Sequence, residues 1–395
     1  MSNRFAEHWL LDPKVEFLNH GAFGACPRPV LAVQSELRAR LEADPVRFML
    51  KELEPLLDAV RVRLAGFVGA RPRELALITN TTQGVNTLLA SSTLRAGDEI
   101  LITNHTYPAC RNAVESWARR SGASVVVAEI PLPVSGEEPI VEAVLRAVTN
   151  KTRLALIDHV TSATALIFPV AKLTAELRAR GVEVLIDGAH APGMVRLDIA
   201  ALGADYYVGN LHKWCCAPKG AALLWVSEER QARVRPLVVS HGMTSQRTDR
   251  SRFQLEFDWV GTEDPTAVLA VPAALDFLGG LLPGGWDELR ARNHELACAA
   301  RRLLLSELGG SPICPEELLG SMATVLLPDA RHEPDPAAPL AEPLYGKLCE
   351  RGFQVLAAYW PKAPRQYVRV TCQIYNELEQ YRRFAAALRE VLPEV

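Results

Sequence analysis

The chain from Glu74 to Val226 alternates short apolar runs with amphipathic stretches, and this alternation limits the fold more than any other feature. The run Leu154–Ile157 is apolar on both faces, which is typical of a strand covered by helices on both sides. Strands that alternate with helices predict a mostly parallel sheet in an α/β fold. Seven strands are predicted, at Ala76–Thr79, Glu99–Thr103, Ser124–Ile130, Arg153–Val160, Val182–Asp187, Asp205–Val208 and Ala221–Val226.

The pattern changes after Gly261, and a second, mixed region follows. The five prolines from Pro328 to Pro343 predict a loop inside it. A chain of 395 residues is long for one domain. We therefore expect an N-terminal arm at 1–20, a large domain at 21–265 and a smaller α/β domain at 266–395. The last domain is predicted to contain helices at Ala267–Leu278, Trp286–Leu308 and Glu377–Val391, and strands at Ala323–Leu327 and Tyr367–Thr371.

Composition disfavours several classes of protein. The 43 basic and 46 acidic residues nearly balance, so we expect no nucleic-acid partner. No apolar stretch approaches the ~20 residues of a membrane helix, and the start lacks a signal-peptide pattern. Eight cysteines without a Cys-x-x-Cys pair predict reduced thiols, no metal site and a cytoplasmic location.

Polar clusters follow five of the predicted strands. Ligands of such sheets bind outside the carboxyl ends of the strands. The polar residues at these ends are therefore the candidates for a functional site. The clusters are Asn80–Thr82, His105–Tyr107, Asp158–Ser162, Asp187–His190 and Asn210–Lys213.

Asp187 and Lys213 carry the most informative chemistry. A carboxylate can keep a pyridine nitrogen protonated, and a lysine can bind an aldehyde as an imine and then move a Cα proton. Taken singly, a buried aspartate at a turn and a surface lysine beside Trp214 would be ordinary structural residues. Their order after two successive strands favours the chemical interpretation.

Seven segments of the chain together form a pattern known from one enzyme family: Phe17–Gly24, Asn80–Gly84, Asp158–Ser162, Asp187–His190, Asn210–Trp214, Gly261–Thr262 and Arg369–Thr371. On these segments the sequence resembles the class V aminotransferase family of fold type I enzymes, in its isopenicillin N epimerase-like branch. The resemblance runs through nearly the whole chain, and it implies a pyridoxal phosphate cofactor, an amino-acid substrate and a homodimer.

The resemblance implies cofactor-binding roles for several residues. Lys213 is similar to the Schiff-base lysine, Asp187 to the partner of the pyridine nitrogen, and His190 to the residue beside the phenolic oxygen. Tyr107 matches the residue that stacks on the cofactor, although it could simply pack on Pro108. Ser162 is implied to touch the phenolic oxygen as well. The phosphate contacts are implied to come from Thr81, Thr82, Asn210 and His212, and from Thr262 of the neighbouring subunit.

The resemblance also implies a substrate site. Arg369 falls where the family binds the substrate carboxylate, and a guanidinium can bind a carboxylate through two parallel hydrogen bonds. A surface arginine on an edge strand is the alternative. Asn19 and His20 are expected at the mouth of the site, unless they only form a turn. Further candidate lining residues are Arg47, Phe48, Arg247, Arg252 and Tyr359.

Two reactions remain open at this point. An epimerase needs acid–base groups on both faces of Cα, Lys213 on one and Tyr107 or His20 on the other. A carbon–sulfur β-lyase needs only Lys213. We favour the epimerase, and the lyase is the alternative. An aminotransferase or a non-catalytic pyridoxal-phosphate-binding protein is less favoured than either. A persulfide-forming desulfurase is disfavoured because Leu356–Pro361 lacks a cysteine, and no Gly-x-Gly-x-x-Gly supports a dehydrogenase.

Overall fold

The computed structural model describes residues 3–331 and 343–394. Its strands are β1 Glu16–Phe17, β2 Leu75–Ile78, β3 Glu99–Thr103, β4 Ser124–Ala128, β5 Thr152–Asp158, β6 Glu183–Asp187, β7 Tyr206–Asn210, β8 Ala222–Val226, β9 Met322–Leu326, β10 Phe353–Gln354, β11 Leu356–Tyr359 and β12 Gln366–Thr371. Its helices are α1 His20–Phe23, α2 Arg28–Ala43, α3 Pro45–Arg47, α4 Leu53–Val68, α5 Thr81–Ala90, α6 Pro108–Ser121, α7 Glu138–Ala147, α8 Val170–Ala179, α9 Arg252–Phe257, α10 Thr266–Leu269, α11 Val271–Gly279, α12 Gly285–Leu308, α13 Leu344–Glu350 and α14 Leu378–Val391, with a π-helical turn at Phe48–Glu52.

The seven-stranded sheet has the order β2-β8-β7-β6-β5-β3-β4. The five strands from β7 to β4 in that order are parallel, and β8 runs antiparallel to both of its neighbours. Helices cover both faces, so the buried strands can be apolar throughout. The predicted α/β fold with a mostly parallel sheet of seven strands is confirmed.

Two of the differences between predicted and observed elements have a clear physical reason. The helix predicted at Ala267–Leu278 is divided at Ala270 into α10 and α11. Pro272 lies in the first turn of α11, where its missing N–H is tolerated, but it cannot continue a preceding helix. The strand predicted at Ser124–Ile130 ends at Ala128, because the Asn104 side chain bonds the backbone of Ile130 and turns the chain away.

Side-chain alternation brings three polar strand-end residues to one face of the sheet. On β5, Leu156 packs on the face that α5 and α6 cover, whereas Ile157 packs on the opposite face. Strands β6 and β7 alternate in the same way. Side chains two residues apart share a face. Asp158, Asp187 and Asn210 therefore lie together beneath α5 and α6, with Asp158 in register with Asp187.

A smaller antiparallel sheet, β11-β12-β9, belongs to the second region. Arg369 lies on its central strand, opposite Leu356 on one side and Thr324 on the other. The two sheets are connected where the Thr324 hydroxyl donates to the Ala163 carbonyl. The short parallel pair β1–β10 joins the N-terminal segment to this region.

The domain boundaries at residues 20 and 265 stay predictions. Most of the predicted loop Pro328–Pro343 lies outside the described residues, at 332–342. Among the helices of residues 3–331 and 343–394, none combines the length and the hydropathy needed to cross a membrane.

Candidate active site

A cavity of about 240 Å³ lies at the carboxyl ends of β5, β6 and β7. All five polar clusters that were predicted from their positions after strands contribute residues to its wall. Nine of the residues predicted to bind or act on the cofactor line it: Thr81, Thr82, Tyr107, Ser162, Asp187, His190, Asn210, His212 and Lys213. The lining also includes Ala22, Phe23, Asn80, Cys110, Asp158, Val160 and Ala189.

Lys213 follows β7, and its side-chain nitrogen Nζ lies next to His190. The distance from Lys213 Nζ to His190 Nε2 is 3.0 Å, and Trp214 Nε1 lies 3.4 Å from His190 Nδ1 as a donor. Burial holds the pKa of His190 well below its ordinary value, so the imidazole is neutral at neutral pH. If Trp214 donates to Nδ1, the remaining imidazole proton is on Nε2 and Lys213 accepts it as a neutral amine.

The charge state of Lys213 is set by burial and by its charged neighbours. Burial and the positive charge of Arg369 lower its pKa to about 7, against the raising effect of Asp187. A lysine with its pKa lowered this far is neutral in a substantial share of the molecules at neutral pH. A neutral amine is nucleophilic and can accept a proton, whereas an ordinary surface lysine is almost fully charged.

Asp187 ends β6 with both of its carboxyl oxygens bonded. Oδ1 accepts from the Ala189 backbone N–H at 2.9 Å, and Oδ2 accepts from the Cys110 thiol at 3.2 Å. Burial raises the pKa of Asp187 above its ordinary value, although these two bonds and the positive charge of Lys213 counteract part of that rise. Cys110 was predicted only as a reduced thiol, because the sequence does not show which face of α6 meets the strand ends.

The N-terminus of α5 and His212 face the cavity, and each has one buried polar side-chain atom without a partner among the described residues. The Thr81 N–H donates to Asn210 Oδ1 at 3.0 Å, and the Asn80 side chain caps the helix by accepting from the Gln83 N–H. Thr81 Oγ1 and His212 Nδ1 are both buried without a hydrogen-bond partner among the described residues. Helix N-termini favour anions, and buried polar groups are seldom left unpaired. These residues therefore fit a phosphate group.

Arg369 lies behind Ser162 and is only 1% exposed. Its Nη1 donates to the Ser162 carbonyl and, at 3.2 Å, to the Ser162 hydroxyl. Its Nη2 lies 3.4 Å from Asn19 Oδ1, and its Nε is buried with no partner in the described part of the chain. The structure thus brings Arg369, Ser162 and Asn19 together at one side of the cavity, although of these three only Ser162 lines it.

The predicted position of His20 at the mouth of the site is wrong. His20 begins α1, is fully buried and lies beneath the loop that carries Lys213. Its Nδ1 is 2.7 Å from the Tyr375 hydroxyl and its Nε2 is 3.0 Å from the Lys213 carbonyl. Burial lowers the pKa of His20 to about 3. It cannot serve as an acid or base on a substrate from this position.

The remaining candidates lie away from this cavity. Thr262 is exposed outside it, and its predicted contact with a neighbouring subunit stays a prediction. The additional lining candidates Arg47, Phe48, Arg247, Arg252 and Tyr359 are absent from the described lining as well. Phe48 is buried, and Arg247 pairs with Glu54 and Asp249.

Asp158 is a site residue that the sequence did not single out for a role. It belongs to the polar cluster after β5, so the signal of its position was present. Its place next to Asp187 depends on the register of β5 and β6, which no sequence motif reveals.

Comparison with known proteins identifies the family. The profile of "Aminotransferase class-V" matches residues 17–342. The chain is 38% identical to an isopenicillin N epimerase of Amycolatopsis lactamdurans, over 96% of each chain. It is 30% identical to a protein named "Probable L-cysteine desulfhydrase, chloroplastic" of Arabidopsis thaliana, over 98% of this chain and 84% of the relative.

A solved structure agrees on the fold. A mutant of C-DES with glycine covalently linked to its pyridoxal phosphate cofactor superposes with a TM-score of 0.80 at 20% identity, over 95% of this chain and 96% of that one. The family profile and the two relatives together cover nearly the whole chain, including every strand that builds the cavity. This chain belongs to the class V aminotransferase family.

Proposed function

We propose that this pyridoxal-phosphate enzyme of the class V aminotransferase family is isopenicillin N epimerase-like and inverts an amino acid at Cα. The observation that carries the proposal is the pair of groups on one cavity, the Lys213 amine and the Tyr107 phenol. The similarity to the epimerase of Amycolatopsis lactamdurans supports the same reaction.

The residues that would hold the cofactor are those that line the cavity. Lys213 would bind its aldehyde, Asp187 its pyridine nitrogen, and Thr81, Thr82, Asn210 and His212 its phosphate. His190 and Ser162 would lie at its phenolic oxygen, and Tyr107 against its ring. When bound, pyridoxal phosphate supplies an electron sink that makes the Cα proton of an amino acid acidic.

Lys213 is the proposed base of the reaction. Its lowered pKa of about 7 provides a neutral amine at neutral pH, which is close to the value that favours a general base. His190 lies 3.0 Å from Nζ and orients the amine. Because burial holds the imidazole neutral, His190 does not take up the proton that Lys213 accepts from Cα.

Tyr107 is the proposed acid on the other face of Cα. It precedes α6, is 42% exposed and lines the cavity. Partial burial raises the pKa of its phenol, so the group is protonated at neutral pH and can donate. His20, the other candidate for this role, is excluded by its buried position beneath the Lys213 loop.

Arg369 is proposed to bind the substrate carboxylate together with Asn19. Its guanidinium donates to Ser162 and Asn19 in the described structure. An entering carboxylate would accept bidentate hydrogen bonds in their place.

Carbon–sulfur β-elimination is the alternative reaction, and the likeness to the Arabidopsis thaliana relative supports it. The two reactions are separated by incubating the enzyme with a panel of L-amino acids, including cysteine derivatives, in D₂O. Epimerisation places deuterium on Cα with loss of chirality and releases no keto acid. Elimination releases pyruvate and ammonia, and this result would replace the proposed reaction by the alternative.

Tyr107→Phe sharpens the test. We expect inversion to fall about 10²-fold or more, because the variant lacks the second proton donor. Deuterium exchange with retention of configuration should persist, because Lys213 is unchanged. Equal inversion by the variant and the wild type would remove Tyr107 from the proposed mechanism.

We also propose a homodimer and a cytoplasmic location. Leu237, Val238, Val239 and Met243 are each at least 45% exposed and form an apolar surface segment, which a second subunit can cover. Thr262 would then reach the neighbouring site. All eight cysteines are free, which suits a reducing compartment. Sedimentation of the active enzyme as a monomer would contradict the dimer.

A further inference from the structure

Two carboxyl groups, not one, lie at the strand ends that face the cavity. Asp158 ends β5 and Asp187 ends β6, and the two residues are directly paired in the parallel register of these strands. Both side chains lie on the face covered by α5 and α6 and both line the cavity. Asp158 is 2% exposed and Asp187 is 3% exposed.

The two carboxyls differ in their hydrogen bonds. Both oxygens of Asp187 accept, from the Ala189 N–H and the Cys110 thiol. Asp158 Oδ2 is buried and has no partner among the described residues. A buried carboxylate oxygen without a donor is costly, whereas a protonated oxygen in the same place can donate to an incoming group.

The charges around the pair also differ. The positive charge of Lys213 lowers the pKa of Asp187, whereas burial and the charge of Asp187 raise the pKa of Asp158 by more than the nearby Tyr107 backbone and Thr106 hydroxyl lower it. The Cys110 thiol, the His190 imidazole and the Tyr107 phenol also face the pair, and all three are neutral at neutral pH because burial opposes their charged forms. Two buried like charges on adjacent strands disfavour double ionisation, so one carboxyl retains its proton.

We propose that Asp158 is a second, protonated carboxyl of the active site, which donates a hydrogen bond from Oδ2 to the occupant of the cavity and leaves Asp187 as the ionised member of the pair. This inference rests on the proposed function, because the occupant is the cofactor with its bound amino acid. Burial and the nearby charge of Asp187 raise the pKa of Asp158 well above its ordinary value, in agreement with this assignment.

The division of roles has a chemical consequence. Asp187 must be ionised to keep a pyridine nitrogen protonated, and it has the donors that stabilise its charge. Asp158 resembles an asparagine in function, since a neutral acid offers one donor and one acceptor. Replacement by asparagine should therefore be tolerated at Asp158, whereas at Asp187 it should impair turnover even though the cofactor stays bound.

The test uses the full-length protein and three variants, Asp158→Asn, Asp158→Leu and Asp187→Asn. Equilibrium affinity for pyridoxal phosphate and the visible absorbance of the bound cofactor are measured at several pH values. We expect Asp158→Asn to bind within about threefold of the wild type, and Asp158→Leu to lose about ten- to a hundredfold in affinity through the missing donor. Equal losses of affinity in Asp158→Asn and Asp158→Leu would mean that Asp158 acts through a negative charge. Wild-type affinity in Asp158→Leu would mean that Asp158 donates no hydrogen bond to the cofactor. Either result overturns the proposal.

Infrared spectra of the apoprotein, compared between the wild type and Asp158→Asn, give a readout that does not depend on the cofactor. At neutral pH the wild type should show the carbonyl stretch of a protonated carboxylic acid, and Asp158→Asn should lack it. Retention of this band in Asp158→Asn would place the proton elsewhere. Failure of the wild type to bind pyridoxal phosphate would overturn the proposed function, while the infrared band would still test the protonation of Asp158.

Discussion

The two walls of the active site are prepared in different ways. The wall formed by the ends of β5, β6 and β7 together with the N-terminus of α5 has polar groups without partners among the described residues, at Asp158 Oδ2, Thr81 Oγ1 and His212 Nδ1. At the second wall, where Arg369 of β12 lies behind the lining residue Ser162, the terminal nitrogens of Arg369 already donate to Ser162 and Asn19, and its Nε is buried without a partner among the described residues. A ligand can bond these unpaired atoms of the first wall without displacing a partner, whereas the terminal nitrogens of Arg369 must exchange the bonds that they already make.

This difference separates a resident group from a transient one. Buried polar groups without partners on a rigid sheet favour a ligand that stays bound. When such a ligand leaves, each of these atoms loses its hydrogen bond, and the free energy of the protein rises. The terminal nitrogens of the Arg369 guanidinium keep hydrogen-bond partners when no ligand is bound. Such a group can release one ligand and bind another without leaving these buried donors unpaired. We infer that the sheet wall serves the cofactor and the Arg369 wall serves the substrate.

The largest effect is expected from Lys213→Ala on the sheet wall. The variant should fold but lose activity by at least about 10³-fold, because both the nucleophile and the base are removed. Absorbance after addition of pyridoxal phosphate, together with steady-state rates, measures the loss. Lys219→Ala is the matched control, since Lys219 donates to the Gly24 carbonyl and does not line the cavity. An active Lys213→Ala enzyme would break the assignment of this wall.

Asp187→Asn should have the next largest effect. We expect the cofactor to remain bound while turnover falls about a hundredfold or more, because the amide cannot carry the charge that a protonated pyridine nitrogen requires. Turnover numbers and cofactor content are compared with those of Asp158→Asn. Similar turnover in the two variants would contradict the different roles of the two carboxyls.

Arg369→Ala tests the second wall. Loss of a charge-assisted bidentate contact should raise the KM for the amino acid about ten- to a hundredfold, with cofactor affinity within about twofold of the wild type. Arg365→Ala is the control, because Arg365 is exposed just before β12. A large loss of cofactor affinity in Arg369→Ala would mean that the two walls do not divide their ligands.

Stability should also depend on pH through Asp158. The pKa of Asp158 is raised on folding, so its folded form keeps a proton that the unfolded chain releases above about pH 4. Wild-type stability should therefore fall relative to Asp158→Asn as pH rises above that value, by up to about 1.4 kcal/mol per pH unit until the folded pKa is reached. Urea unfolding of the apoprotein at three pH values between weakly acidic and neutral measures the difference. Parallel stability curves would show that Asp158 is ionised in the folded protein.

Much of the fold could be predicted from the sequence because its determinants are local. Apolar runs and the amphipathic stretches between them identified all strands of the large sheet. Ligands of such sheets bind at the carboxyl ends of the strands, and this rule was enough to group Asp187, His190 and Lys213 at one site. The division between α10 and α11 follows from Pro272, whose effect is also local.

The parts that could not be predicted depend on contacts between distant segments. His20 is placed beneath the Lys213 loop by Tyr375, which lies 355 residues away. The bond from Cys110 to Asp187 depends on the packing of α6 across the sheet, and the pairing of Asp158 with Asp187 depends on strand register. Neither leaves a periodic signal in the chain.

The central claim, that Lys213 holds the cofactor, is tested most directly by locating the cofactor on the chain. The wild-type protein is incubated with pyridoxal phosphate, reduced with borohydride and digested, and the modified peptide is identified by mass spectrometry. We predict one modified residue, Lys213, and loss of the label when an excess of substrate amino acid is present before reduction. A label on Lys219 or another lysine, or no label at all, would contradict this assignment.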